Sequence, residues 1–405
     1  MSTTPPRPIV DEPVPLPKRW GDPELARLTA MLSQASLFYW KGPQTTALLD
    51  EFRRLYPLKY AHPCSSGTAS LHIAVAALRL KPGEEVIVPA ITDMGSVIGI
   101  LYQQGVPVFA DLDPLTYTLD PVDVRRRLTA KTKAIITVHL AGNASDLAGL
   151  GKIAKEHSLV LIEDCAQSWG ARWQGRPVGT IGDIGCFSLN DFKMIGCGDG
   201  GIVGSNDEGI GPSLGKWGDK GYDRAGGIKD PEFLAPNYRF SEPQAAVGAA
   251  QLVRLPGIVE RRVHVGQYLT KLLEGIPGLS LPGVVKGNTH SYWFYMPRLD
   301  LKRFKKPRAE ITAALNAEGV SVANSCITNP VYKYPLFQNH TFFGGPWAIR
   351  EAGFTSMDYR QVSLPVTEAI MADSLCVRPF NEAWTDSYIE KVAKAFRVVL
   401  GRFAL

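Results

Sequence analysis

The chain has 405 residues, of which 45% are apolar and 20% are charged, and its formal net charge is +5. This length exceeds one typical domain, and the composition is ordinary for a soluble globular protein. The small, dispersed excess of positive charge argues against nucleic acid or an anionic membrane as a partner. The apolar runs are too short to span a membrane, so we expect no membrane-embedded segment.

The six cysteines are few for this length, and none forms a CxxC pair. This pattern predicts neither a disulfide framework nor a zinc site, and its simplest interpretation is a reducing, cytoplasmic environment. The first residues are rich in proline and lack the basic start and apolar stretch of a signal peptide.

In chain order, the prolines between positions 5 and 17 exclude a helix, so residues 1–24 are predicted to form an extended arm. Residues 23–56 are predicted to be largely helical, and short apolar runs then alternate with helical stretches. Strands are predicted at 85–89, 106–110, 134–138, 160–163 and 185–188, and helices at 69–80, 96–103, 122–128 and 147–156. This alternation predicts a mostly parallel sheet with helices on both faces.

The second half of the chain has a different pattern. Residues 205–236 are rich in glycine and charge and predict a long loop, and a helix resumes at 241–252. From about residue 265, helices alternate with irregular strands. We therefore predict a large domain at 25–264 and a smaller α+β domain at 265–405.

A carboxylate and an amine stand where two predicted strands end. Asp164 closes the apolar run 159–164, and Lys193 follows the run 186–189 and precedes a glycine-rich segment. Parallel sheets bind ligands beyond the carboxyl ends of their strands. Such a pair could hold the pyridine ring of pyridoxal phosphate, with the acid on the ring nitrogen and the amine on the ring aldehyde. Alone, Asp164 could equally cap a turn, and Lys193 could be a solvated surface residue.

A phosphate site is predicted in the segment 64–72, where a small polar loop precedes an apolar helix. Free backbone N–H groups at a helix start favour an anion, and glycine lets the backbone approach it closely. Ser66 and Thr68 add hydroxyl groups on either side of Gly67. The alternative is an ordinary helix cap. Gln167, three residues after Asp164, could contact the phenolic oxygen of the ring or the substrate.

Five ordered motifs resemble the DegT/DnrJ/EryC1/StrS family of sugar and cyclitol aminotransferases, from about residue 20 to the C-terminus. They are Ser65-Ser66-Gly67-Thr68-Ala69, Glu163-Asp164-Cys165-Ala166-Gln167, Ser188 with Lys193, Gly198-Asp199-Gly200-Gly201, and Asn237-Tyr238-Arg239-Phe240-Ser241-Glu242. The resemblance implies the fold type I, aspartate-aminotransferase-like α/β architecture. It also implies a homodimer with active sites shared at the subunit interface.

The resemblance also implies roles for individual residues. Lys193 is expected to form the Schiff base, and Asp164 to hold the pyridinium. Gly67, Thr68 and Ser188 are expected to bind the phosphate, together with Asn237 of the other subunit. Arg239 is expected near that site as a substrate residue. The implied chemistry is a ping-pong transfer from glutamate or glutamine to a keto sugar, often nucleotide-linked, or a keto cyclitol.

Two positions depart from the family pattern. Asp93 stands where the family usually has an aromatic residue that stacks on the pyridine ring, and Trp169 stands where a histidine is frequent. We expect Asp93 to contact the cofactor or a hydroxylated substrate, and Trp169 to line the substrate pocket. His290, in a segment like the one that opens the small domain of the family, is expected to be a core residue, a substrate residue or both.

Two other functions stay open at this point. One is a related enzyme that dehydrates or deoxygenates a sugar. Dehydrating relatives replace the Schiff-base lysine with histidine, and Lys193 argues against that reaction. The other is a catalytically silent dimer that binds a ligand, which the unusual Asp93 would allow.

Overall fold

A seven-stranded sheet forms the centre of the protein, whose computed structural model describes residues 7–405. The part of the predicted arm at residues 1–6 lies outside the described residues. The strands are β1 (Tyr60–Cys64), β2 (Glu85–Pro89), β3 (Val106–Ala110), β4 (Thr132–Val138), β5 (Val160–Asp164), β6 (Arg172–Trp173), β7 (Arg176–Pro177), β8 (Ile184–Ser188), β9 (Gly201–Ser205), β10 (Leu279–Ser280), β11 (Arg298–Leu299), β12 (Val322–Ala323) and β13 (Cys376–Val377).

The central sheet has the strand order β1-β9-β8-β5-β4-β2-β3. Strands β3, β2, β4, β5 and β8 pair in parallel, whereas β9 is antiparallel to both of its neighbours, β1 and β8. The predicted mostly parallel α/β architecture is therefore confirmed. Because β5 and β8 are parallel neighbours, their carboxyl ends, Asp164 and Ser188, lie at the same edge of the sheet.

Thirteen α-helices lie within the described chain, and none of them is long and apolar enough to cross a membrane. They are α1 (Asp22–Leu32), α2 (Pro43–Leu55), α3 (Gly67–Ala77), α4 (Gly95–Tyr102), α5 (Pro121–Arg127), α6 (Leu147–His157), α7 (Leu214–Gly218), α8 (Glu242–Leu273), α9 (Arg308–Ala317), α10 (Pro335–Gln338), α11 (Ala348–Glu351), α12 (Pro365–Asp373) and α13 (Asp386–Phe403). Helix α3 consists mainly of small and apolar residues, and these are buried on all of its sides. This composition suits a helix that packs against both the sheet and α4.

Two hydrophobic clusters divide the interior. The larger one surrounds the central sheet, and the second joins the end of α8 to α9, α13 and Val10 of the arm. The helix α8 contributes Leu252 to the first cluster and Val265 to the second. The predicted boundary at 264/265 thus falls inside one continuous helix, and the division into domains stays a prediction.

One disulfide departs from the reducing environment that the cysteine pattern favoured, although a single bond is not a disulfide framework. Cys326 is bonded to Cys376, with their Cα atoms 5.3 Å apart. Because β12 pairs with β13, with Ala323 opposite Cys376, the chain after β12 passes beside residue 376. The 50 residues between the two cysteines hide this proximity in the sequence. The other four cysteines are free and buried.

Candidate active site

A cavity of about 840 Å³ lies beside the loop that joins β8 to β9. Lys193 in that loop lines it, together with Asp93 and Gln167, which follow β2 and β5. The remaining wall includes Leu16, Pro17, Arg19, Trp293, Phe294, Cys326, Ile327, Tyr334, Arg378, Phe380 and Glu382. The cavity is therefore at the sheet edge where parallel sheets bind ligands, as the strand-end argument predicts.

Asp164 ends β5 and is fully buried. One carboxylate oxygen accepts a hydrogen bond from the Ser96 hydroxyl at 2.6 Å, and the other accepts from the Ala166 N–H at 3.0 Å. Burial raises the pKa of Asp164, whereas these two hydrogen bonds and the charge of Lys193 lower it. A buried carboxylate of this kind gains stability from a positively charged partner.

Lys193 lies in a short turn after β8, where its N–H donates to the carbonyl of Asn190 at 2.9 Å. Its Nζ atom is 4.1 Å from the ring centroid of Trp293. Burial lowers the pKa of the amine, and the charges of Asp164 and Asp93 oppose that shift. The amine therefore loses its proton more readily than an ordinary lysine, which makes it a better nucleophile.

The start of α3 meets the end of β8. Ser66 caps α3 by accepting a hydrogen bond from the Ala69 N–H at 3.0 Å. A Cβ atom on Gly67 would lie 2.6 Å from the Cβ atom of Ser188, so only glycine allows this approach. The structure thus brings Ser66, Gly67, Thr68 and Ser188 together at a helix N-terminus, which is suited to an anion. Their role in phosphate binding stays a prediction.

Gln167 and Asp93 line the cavity from two loops. The side-chain oxygen of Gln167 accepts from the Ala141 N–H at 2.9 Å, which leaves its amide N–H groups free to donate. One oxygen of Asp93 accepts from the Gly95 N–H at 2.8 Å at the start of α4. The carboxylate of Asp93 makes the cavity more polar at this point than an aromatic ring would.

Asn237 and Arg239 lie apart from the cavity of their own chain. The Nε atom of Arg239 contacts the carboxylate of Asp219 at 2.6 Å, and that carboxylate also accepts hydrogen bonds from Tyr39 and Arg224. Asn237 is exposed. Their segment runs beside the predicted phosphate segment of the same chain, where the Ser65 N–H donates to the carbonyl of Tyr238 at 2.9 Å. The roles of Asn237 and Arg239 in a partner subunit stay predictions of the family resemblance.

The prediction that Trp169 lines the substrate pocket is wrong. Trp169 is 1% exposed and packs against Phe52, Tyr56 and Phe187 in the core. Its indole N–H donates to the carbonyl of Ser188 at 2.7 Å. A large aromatic ring is stable in the core when its N–H group has a hydrogen-bond partner there. Trp169 therefore supports the end of β8 from beneath.

His290 also belongs to the core rather than to the cavity wall. Its ring stacks on Tyr292 at a centroid distance of 3.9 Å, and its Nδ1 atom accepts from the Tyr292 N–H at 2.9 Å. Burial lowers the pKa of His290 to about 3, so the imidazole is neutral at physiological pH. Of its two predicted roles, the structure supports the core position.

Sequence reasoning missed several residues of the site. Ser96, itself bonded to Thr92 at 2.6 Å, orients Asp164, but a serine in the first turn of a helix is too common to signal this role. Trp293 covers the amine with its ring, but one aromatic residue among several in the segment after His290 gives no signal of this role. Arg19 stands in the proline-rich arm, where no pattern distinguishes it.

Comparisons with known proteins agree with this geometry. The sequence pattern of the DegT/DnrJ/EryC1/StrS aminotransferase family matches residues 20–397. A relative from Streptoalloteichus tenebrarius, provisionally named an L-glutamine:3-amino-2,3-dideoxy-scyllo-inosose aminotransferase, is 33% identical over 97% of this chain and 96% of its own. The GDP-perosamine synthase of Vibrio cholerae is 34% identical over 74% of this chain and 80% of its own. Among solved structures, an aminotransferase from Psychrobacter cryohalolentis is similar with a TM-score of 0.85 and 28% identity, covering 96% of this chain and 99% of that one.

Proposed function

Because this chain belongs to the DegT/DnrJ/EryC1/StrS aminotransferase family, we propose that it uses pyridoxal phosphate to transfer an amino group from glutamine or glutamate to a keto cyclitol or keto sugar. The observation that carries the proposal is the pair formed by Asp164 and Lys193. Burial raises the pKa of the acid and lowers the pKa of the amine, and each charge acts on the other beside one cavity.

The residues present fit the cofactor. Asp164 offers a buried carboxylate for the pyridine nitrogen, and Lys193 offers a nucleophilic amine for the aldehyde. The start of α3 offers backbone N–H groups for the phosphate, at a place where Gly67 keeps the approach open. Gln167 offers amide N–H groups for the ring oxygen.

When bound, pyridoxal phosphate supplies an aldehyde that condenses with amines and a protonated ring that stabilises negative charge on the adjacent carbon. The contribution of Asp164 is to keep the ring nitrogen protonated, because a neutral nitrogen would leave the buried carboxylate without a cation. Lys193 would hold the aldehyde, and its amine is the group that could take up a proton from the substrate carbon that bears the amino group. The ring of Trp293, whose centroid lies 4.1 Å from Nζ, lines the cavity in which the substrate would meet the amine.

The choice of substrates follows the relatives. A relative that matches 97% of this chain is named for glutamine and an aminated scyllo-inosose, and another is named for the GDP-linked sugar perosamine. Both names describe amino transfer involving a polyhydroxylated ring. Donor and acceptor would enter the same cavity in turn, which corresponds to a ping-pong order.

We further propose that the enzyme is a homodimer with shared active sites. Asn237 is exposed and does not line the cavity of its own chain, so its side chain is available to a partner subunit, which supports this assembly. In the dimer, Asn237 would reach the phosphate of the partner subunit, and Asp219 would hold Arg239 beside it.

The proposal is tested by incubating the purified protein and pyridoxal phosphate with glutamine or glutamate and a keto acceptor. One arm uses free keto cyclitols, and the other uses nucleotide-linked keto sugars. We expect an aminated product in one arm and none with Lys193→Ala. Lys152→Ala is the matched control because this lysine is exposed on α6. Absence of product in both arms, with the cofactor bound, would favour a silent ligand-binding dimer instead.

A further inference from the structure

The proline-rich arm contributes directly to the cavity. Leu16, Pro17 and Arg19 line it, yet the family pattern begins only at residue 20. This part of the wall is therefore supplied by a segment that precedes the residues matched by the family pattern.

Residues 10–12 anchor one end of the described part of the arm. Val10 is buried in the second hydrophobic cluster, and its N–H donates to the carbonyl of Glu318 at 2.9 Å. Lys391 of α13 forms ion pairs of 2.8 Å with Asp11 and 2.7 Å with Glu12. The arm is therefore held against the part of the protein that follows α8.

The other end of the arm is anchored on α8. The carbonyl of Arg19 accepts hydrogen bonds from Gln251 at 2.8 Å and from Arg254. The carbonyl of Lys18 accepts from Arg254 at 2.9 Å. Hydrogen bonds from α8 thus fix the backbone of residue 19, and its side chain extends from there to the cavity.

The side chain of Arg19 bonds to the loop that carries the nucleophile. Its guanidinium donates to the carbonyl of Lys193 at 2.9 Å and to the carbonyl of Asp191. Between these two residues, Phe192 is 81% exposed and gives the loop little packing. A planar guanidinium with two donors in a fixed geometry is well suited to hold two neighbouring carbonyl groups.

We propose that Arg19 is a positioning residue for Lys193 and that Leu16, Pro17 and Arg19 of the arm are part of the active site. The arm ties the Lys193 loop to α8 and to the region that follows it. A displacement of about 1 Å in a reacting group can reduce a rate a hundredfold, so the position of this loop matters for turnover. The inference rests on the proposed function of Lys193.

The test compares Arg19→Ala, Arg19→Lys and the control Lys18→Ala. The control removes the same charge from the arm and keeps the carbonyl that bonds to Arg254. We expect Arg19→Ala to lower kcat about tenfold, with a smaller change in KM, because two charge-assisted hydrogen bonds are lost. The circular dichroism of the bound cofactor, which reports the orientation of the ring, should lose amplitude. Arg19→Lys keeps one donor and should recover part of both signals.

Hydrogen exchange of the protein without cofactor separates this inference from the proposed function. The amides of Asp191 and Lys193 should exchange faster in Arg19→Ala, at an unchanged melting temperature, even if the cofactor assignment fails. Exchange, dichroism and kcat equal to those of Lys18→Ala would overturn the inference. If the unaltered protein binds no cofactor covalently, the proposed function is overturned, whereas the exchange result still decides the inference about Arg19.

Discussion

Two parts of the site are held in different ways: the strand ends that carry Asp164 and Ser188, here called the floor, and the residues that line the cavity, here called the wall. On the floor, Asp164 and Ser188 end neighbouring strands of a buried sheet, and two hydrogen bonds fix the carboxylate of Asp164. In the wall, Leu16 is 70% exposed, and Phe192 beside Lys193 is 81% exposed. Rigid elements thus position the Asp164 carboxylate and the predicted phosphate site, whereas loops and the arm carry Lys193 and surround the substrate.

This difference predicts where substitutions act. A change on the floor should reduce the reaction with every substrate, because it affects the groups that hold the cofactor. A change in the wall should instead depend on which donor or acceptor is used. Four substitutions test the contrast.

Asp164→Asn should have the largest effect on activity. We expect kcat to fall roughly a hundredfold or more with every acceptor, because the ring nitrogen loses its charged partner. Steady-state kinetics with saturating pyridoxal phosphate measure this. If the fall in kcat differs between acceptors, Asp164 behaves as a residue that contacts the substrate, and the prediction is wrong.

The same substitution should stabilise the protein without cofactor near neutral pH. Burial raises the pKa of Asp164, so its charged form is disfavoured in the folded state and Asn removes that cost. As the pH falls through the raised pKa, the wild-type carboxyl takes up a proton and the advantage of Asn should disappear. Thermal unfolding of both proteins from pH 7 down to pH 3 checks the sign.

Gly67→Ala should damage the phosphate end of the floor. The new methyl group would lie 2.6 Å from the Cβ atom of Ser188, and such overpacking costs about 2 kcal/mol. We expect weaker binding of pyridoxal phosphate and a lower melting temperature. Gly151→Ala is the control, since its Cβ atom would meet nothing within 4 Å and alanine favours the helix α6. Equal cofactor affinity in the two variants would contradict the account.

Trp293→Ala should show the behaviour of a wall residue. We expect KM for the keto acceptor to rise roughly tenfold while kcat changes less, because contact with the non-reacting part of the substrate is lost. Trp293→Phe keeps much of the ring surface, so its KM should lie between those of the unaltered protein and of Trp293→Ala. A uniform loss of kcat with unchanged KM would show that Trp293 acts on Lys193 instead.

Asp93→Asn should produce the smallest effect. The charge of Asp93 raises the pKa of Lys193 against the effect of burial, so its removal lowers the pKa of the amine. The pH profile for covalent capture of the cofactor should therefore move to lower pH, because the free amine persists there. Asn retains the oxygen that accepts from the Gly95 N–H. A shift to higher pH would contradict the account.

The floor was readable in the sequence for a physical reason. Asp164 and Ser188 each end an apolar strand, and parallel strands bring their carboxyl ends to one edge. The strand and helix predictions between residues 69 and 188 are accordingly confirmed at the level of the elements.

The wall could not be read in this way. Arg19 and Lys193 are 174 positions apart, and Cys326 and Cys376 are 50 positions apart, with no periodicity that links either pair. Trp169 shows the converse error, because its place in a family motif suggested the pocket while its size and N–H group favoured the core. Such assignments need the tertiary structure.

The central claim is that the amine of Lys193 carries the cofactor, and the most direct test is to locate the attachment. The protein is incubated with pyridoxal phosphate, reduced with borohydride and digested, and the labelled peptide is identified by mass spectrometry. The account predicts one pyridoxyl group per chain on Lys193 and none in Lys193→Ala. A label on a different lysine, or a protein that binds the cofactor without any reducible bond, would contradict it.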